Sequence, residues 1–146
     1  EIYTLSLHDA LPISISYEYL NSVRVFHWQW LKLKSKHDEL ESCLLPQGIR
    51  YDKDRVQTSP DDNVSRIVAE IADLEHKMKV IQNVKAKRIE DIYNKLESLP
   101  CDEWKTALAM RFINRKTVSD IAAEMGYAES TIYKFMDKGA EYIVKN

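Results

Sequence analysis

Apolar and polar positions alternate along this chain with helical spacing over most of its length. Between 17 and 44 the apolar or bulky residues Tyr19, Val23, Phe26, Trp30, Leu33, His37, Leu40 and Leu44 recur every three or four residues, which places them on one helix face. Leu45-Pro46-Gln47-Gly48 ends the pattern, because proline removes a backbone donor and glycine turns the chain. The polar stretch 49–63 closes on Pro60, Asp61, Asp62 and Asn63, which offer N-cap side chains and negative charge to the positive end of a following helix. That helix is predicted over 64–99. Its seam is Val64, Ile67, Ile71, Leu74, Met78 and Ile81, turns polar at Lys85 and Arg88, and resumes at Ile92 and Leu96, which predicts a kink or a change of packing partner. The two long helices fold back on each other most simply as an antiparallel hairpin, each covering the other's stripe. Trp28 lies off the first stripe, as a peripheral or partner contact, and His37 reads as a packed or edge histidine.

Pro100 punctuates the chain, and 99–146 reads as a separate trihelical unit. Asp102 is placed to cap a helix carrying Trp104, Leu108, Met110 and Phe112 and ending near Asn114. Thr117-Val118-Ser119-Asp120 has the form of a capping box, in which residues three apart satisfy each other's backbone donors. The helix it opens, 118–125, carries Ile121, Ala122 and Met125 on one side, and Gly126 follows it. Glycine there permits the left-handed backbone of a tight turn, and small Ala122 lets a second helix approach. Ile132 and Phe135, with Tyr127, supply the apolar face of that second helix. Together these offsets are those of a helix-turn-helix, with an ordinary buried helical hairpin as the alternative.

In a helix-turn-helix the second helix enters the major groove of DNA. Its outward positions are then Glu129, Ser130, Thr131, Tyr133, Lys134 and Lys138, while Arg115 and Lys116 precede the first helix and reach the flanking backbone. Ser and Thr can read base edges or phosphates, Glu129 can accept from a cytosine amine, and the lysines suit phosphate or guanine. A solvated surface role is the alternative for each charged residue.

Charge tempers this picture. The chain has 21 Lys and Arg against 23 Asp and Glu, and 99–146 holds seven of each sign, so indiscriminate binding to many phosphates is excluded and affinity must come from a local patch or a partner. No apolar stretch approaches the roughly 20 residues that span a bilayer. Cys43 and Cys101 stand outside any CxxC spacing and are expected as reduced thiols in a cytoplasmic protein, and the four histidines show no metal-ligand spacing. No catalytic constellation, metal or cofactor is expected.

Two resemblances complete the reading. Glu1 to Ile13 (EIYTLSLHDALPI) resembles the in-frame translation of a sequencing-library adapter, with Ser14 at its ragged end, so 1–14 is set apart as an artefact and the native start is expected to lie elsewhere. The stretch from Leu99 to Ile143 resembles region 4 of sigma factors, and more closely the RinA/ArpU-like regulators of Gram-positive phages and prophages. The matching pieces are Ala109 to Ile113, Ile121-Ala122, Met125-Gly126-Tyr127 and Ser130-Thr131-Ile132-Tyr133. Tyr19-Leu20, Arg55-Val56-Gln57-Thr58-Ser59 and Ile67-Val68-Ala69-Glu70-Ile71 are similar to small phage proteins that accompany this motif. The resemblance implies activation of late or packaging genes through promoter DNA and host RNA polymerase. Ala128 stands where the family has Ser or Thr, which predicts a second helix displaced by one or two residues. The region of sigma factors that melts promoters has no counterpart.

The expected architecture is therefore all-α: a coiled-coil-like helical hairpin over 15–98 and a helix-turn-helix domain over 99–146. Double-stranded DNA is the expected partner, with host RNA polymerase and a homodimer through the hairpin as further ones and no membrane. Two alternatives remain. A serine recombinase fragment would need a mixed α/β catalytic domain, and an interaction module would use the same helices to bind protein.

Overall fold

The computed structural model describes residues 7–45 and 60–145, and the side chains of 14–45 and 62–145. Among these residues every regular element is helical: α1 (Leu7–Leu44), α2 (Pro60–Glu97), α3 (Asp102–Leu108) continued by a π-helical turn (Ala109–Ile113), α4 (Val118–Met125) and α5 (Glu129–Lys145). The expected all-α class is the observed one. No described helix is long and apolar enough to cross a membrane. The expected turn at 46–48 and the polar stretch 49–59 lie outside the described residues, as do 1–6 and the side chains of 7–13 in the adapter-like segment.

Several local expectations change. α2 begins at Pro60, four residues before the apolar seam, because proline at a first helical position has its φ already set and no donor to lose. α2 runs unbroken through Lys85 and Arg88, and of the two expected outcomes the change of packing partner is the one observed, since the residues up to Val84 and those from Lys85 belong to different compact units. Arg88 is half-buried there and plays the part of a core residue through its edges. Its guanidinium lies 4.7 Å from the Tyr19 ring and 5.6 Å from Phe26, and donates a 2.7 Å hydrogen bond to Ser22 Oγ. A cation placed over two aromatic rings fills the seam without an apolar side chain. Asp102 does not cap α3; Cys101 occupies that position and makes no side-chain cap hydrogen bond.

The chain forms two compact units, 1–26 with 85–146 and 27–84. Their boundary cuts through both long helices and does not fall at Pro100, because the roots of α1 and α2 share a core with the C-terminal helices. Leu20, Val23, Ile92, Leu96 and Leu99 belong to one buried cluster with Leu108, Phe112, Ile121, Ile132 and Met136. Within this unit α1 and α2 run antiparallel: Lys95 lies over Tyr19 at 4.2 Å, and Arg88 reaches on to Phe26. Gly139 makes the packing of α5 on α3 possible. A Cβ there would lie 2.6 Å from Leu108 Cδ1 and 3.4 Å from Trp104 Cβ, so only glycine fits this approach without displacing a fully buried leucine.

In the other unit Ile71 and Leu74 are buried, whereas Val64 is 50% exposed and leaves the expected seam. His37 on α1 reaches Glu75 on α2, Nε2 to Oε1 at 3.0 Å, and Asp38 at 3.3 Å from Nδ1.

Candidate nucleic-acid interface

The interface is built on α4, a short turn and α5. Thr117 sits in extended backbone (φ −72°, ψ 155°) and its Oγ1 accepts a 3.1 Å hydrogen bond from the Asp120 N–H. This is one half of the expected capping box; the reciprocal bond from Asp120 is absent among the described residues. α4 then spans 118–125, as its pattern predicts, and ends on Gly126 at φ 77° and ψ 30°. The Gly126 and Tyr127 N–H groups both donate to the Ala122 carbonyl, at 2.9 and 3.1 Å, and close the turn. Tyr127 packs edge-on against Phe135 with ring centroids 5.0 Å apart.

α5 begins at Glu129, so the helix is not displaced by Ala128. The Ala128 carbonyl accepts from the Thr131 and Ile132 N–H groups at 3.0 and 3.1 Å, which starts the helix through backbone alone and without the side-chain oxygen of a Ser or Thr cap. The two faces of α5 are sharply different. Ile132, Met136, Gly139 and Ala140 are buried, while Glu129, Ser130, Tyr133, Lys134 and Lys138 are exposed. Thr131 is half-buried at the boundary. Lys134 and Lys138 have no hydrogen bond or ion pair among the described residues and lie one turn apart on the exposed face.

The residues before α4 are held differently. The π turn is closed by Asn114 N–H donating to Ala109 O and Lys116 N–H donating to Met110 O, both at 3.0 Å. Between them Arg115 adopts φ 59°, a left-handed conformation that costs a non-glycine residue about 1 kcal/mol or more. Arg115 is exposed. Lys116 is not the unpaired phosphate contact expected of it: its Nζ donates to both oxygens of Glu124, at 2.6 and 2.8 Å, while its carbonyl accepts from Arg111 at 2.9 Å.

The root of α1 forms one wall of this surface, which the sequence pattern did not reveal because the apolar stripe of α1 gave no sign of a second packing partner. Ser16, 2% exposed, donates through Oγ to the Ala140 carbonyl at 2.8 Å, and the Tyr17 hydroxyl donates to Asp137 on α5. Burial, then that hydrogen bond and the negative charge of Asp137, hold Tyr17 far above the usual phenol range, so it remains a donor at any relevant pH. Beside these contacts a recess of about 290 Å³ is lined by Asn21 and Arg24 of α1, Arg111 and Phe112 of the π turn, and Tyr133 of α5. Arg24 and Arg111 are thus two cations, both outside the expected set, beside the exposed face of α5. Lys85 on α2 is held below the usual lysine range first by burial and then by the charge of Arg115.

His37, Asp38 and Glu41 bring their ligand-type atoms within 4.8 Å of one another, a grouping that sequence spacing had not suggested. These groups pair among themselves and with Glu75. Both cysteines are free thiols.

No protein-family model matches the chain, and no curated protein or solved structure does.

Proposed function

We propose that this protein is a cytoplasmic DNA-binding transcription regulator of phage or prophage type, acting through the α4–turn–α5 segment as a helix-turn-helix. The observation that carries the reading is the division of α5. One face is buried against α3 and α4, and the opposite face presents Glu129, Ser130, Tyr133, Lys134 and Lys138 to solvent directly after a left-handed Gly126. A helix held by its apolar side with its polar side open can lie in a major groove and contact bases with its first turns. Double-stranded DNA is then the first partner, with host RNA polymerase and a second copy of the chain as further ones. The resemblance to RinA/ArpU-like regulators supports activation of late genes.

A second reading, a helical module that binds polymerase or another regulator without touching DNA, is favoured by the near balance of charge and by Trp28, which is 59% exposed. A gel shift and footprint on DNA upstream of the gene and its neighbours separate the two. A discrete protected site supports the DNA-binding reading. No shift on any duplex, combined with capture of polymerase, supports the second.

A further inference from the structure

We infer that the root of α1 is part of the DNA-contacting surface, with Arg24 as an anchor for the sugar-phosphate backbone beside the recognition helix; this rests on the DNA-binding reading of α5. Arg24 reaches the recess between α1, the π turn and α5, where Asn21, Arg111 and Tyr133 also carry donors and the Tyr17 hydroxyl is spent on Asp137. Tyr133 is also on the exposed face of α5, so a strand lying along that face passes the mouth of the recess.

Several other cations of this unit are committed, whereas Lys134 and Lys138 on α5 are not. Lys116 is paired with Glu124, Lys145 with Glu141, and Lys105 lies near Asp102 and Glu97. Arg111 spends one N–H on the Lys116 carbonyl. Arg24 has no hydrogen bond or ion pair among the described residues, although the residue is half-buried. Asp137, the one carboxylate lining the recess, is bonded to the Tyr17 hydroxyl, which turns a donor towards its charge. A half-buried arginine with unspent donors at the edge of a recess suits a phosphate, which accepts two parallel N–H bonds. Six of the expected contact residues lie on α5, a helix of modest charge, and a contact from α1 adds affinity that α5 alone does not supply.

The test compares the full chain with Arg24→Ala, Arg24→Lys and the surface control Lys36→Ala, using short mixed-sequence duplexes and duplexes enriched from a randomised pool. Binding is measured across a salt series, with circular dichroism to check folding. Arg24→Ala is expected to weaken binding to all duplexes by about three- to tenfold and to reduce the salt slope by about one released counterion, whereas Arg24→Lys keeps most of the slope and Lys36→Ala changes nothing. If the parent chain binds duplex and Arg24→Ala binds with the same affinity and slope, the Arg24 anchor is wrong and the reading of α5 stands. If the parent chain binds no duplex at all, both fall.

Discussion

Ser16, in the third turn of α1, donates its hydroxyl to the carbonyl of Ala140, 124 residues further along the chain in α5. The bond is buried, and with Tyr17 and Asp137 it ties the start of the long helix to the helix that presents the candidate DNA-reading face. Loss of a single neutral hydrogen bond costs about 0.5–1.5 kcal/mol, so Ser16→Ala should lower thermal stability by that amount. A chain starting at Ile15 should melt with the full chain, and one starting at Glu18 should melt well below both. Equal melting of all three would separate α1 from the C-terminal core.

Gly126 has nothing within 4 Å of where a Cβ would stand, so the cost of substitution there comes from backbone alone. At φ 77° an alanine is strained by about 1–2 kcal/mol and a β-branched residue by more. Gly126→Ala should destabilise measurably, Gly126→Asn less, and Gly126→Val should unfold the α4–α5 segment. Urea unfolding followed by circular dichroism ranks the three, and a Val variant as stable as the parent would mean the turn can be rebuilt.

Arg115 occupies the same left-handed region without being glycine. Strain kept at an exposed charged residue points to use of the side chain, since glycine would hold the turn at lower cost. Arg115→Gly is therefore expected to keep or raise stability while weakening DNA binding. A variant that binds DNA as well as the parent would leave the strain without a functional reason.

Lys134 and Ser130 share the exposed face of α5 and should behave differently. Lys134→Ala removes a charge and should weaken binding to most sequences with a shallower salt dependence, whereas Ser130→Ala and Glu129→Ala should alter preference among sequences. Lys116→Ala should do less than Lys134→Ala, because its charge already faces Glu124. Competition assays on selected and scrambled duplexes read the difference; identical effects of all variants on all duplexes would overturn the assignment.

His37 adds a pH dependence away from this surface. Hydrogen bonds to Glu75 and then Asp38, with the charge of Glu41, raise its pKa above the ordinary value of 6.5, and the bond from His37 lowers that of Asp38. A histidine whose folded pKa is raised stabilises fully below its unfolded value and loses that contribution as pH rises through the folded one. The lowered Asp38 stabilises above its unfolded value of 3.8 and loses that as pH falls through the folded one. The cluster is thus strongest between roughly pH 4 and 6.5, and weakens as pH rises through the raised histidine pKa. The melting-temperature gap between the parent and His37→Gln should be widest in that interval and shrink above it. A gap that stays constant from mildly acidic to alkaline pH would exclude protonation as its source.

Much of the local structure was legible in the pattern of residues. α4 has the predicted bounds, Gly126 the predicted backbone sign, and Ile121 and Ile132 the predicted burial, because each depends on neighbours within one or two turns. The polar seam at Lys85 and Arg88 marked a change of packing partner, but spacing alone does not show that the Arg88 guanidinium lies over Tyr19 and Phe26. Gly139 passed unnoticed for the same reason: its need for a bare Cα is set by Leu108, 31 positions away.

The sequence by itself determined that the chain is helical, where most helices start and stop, and which side of α5 is polar, since periodicity, caps and left-handed glycine are short-range effects. Only the tertiary structure decided that the roots of the long helices share a core with the C-terminal helices, that Lys116 is paired, and that Arg24 stands beside Tyr133. Those outcomes depend on which apolar faces meet across more than a hundred residues of chain, and many pairings of amphipathic helices satisfy the same pattern until packing selects one.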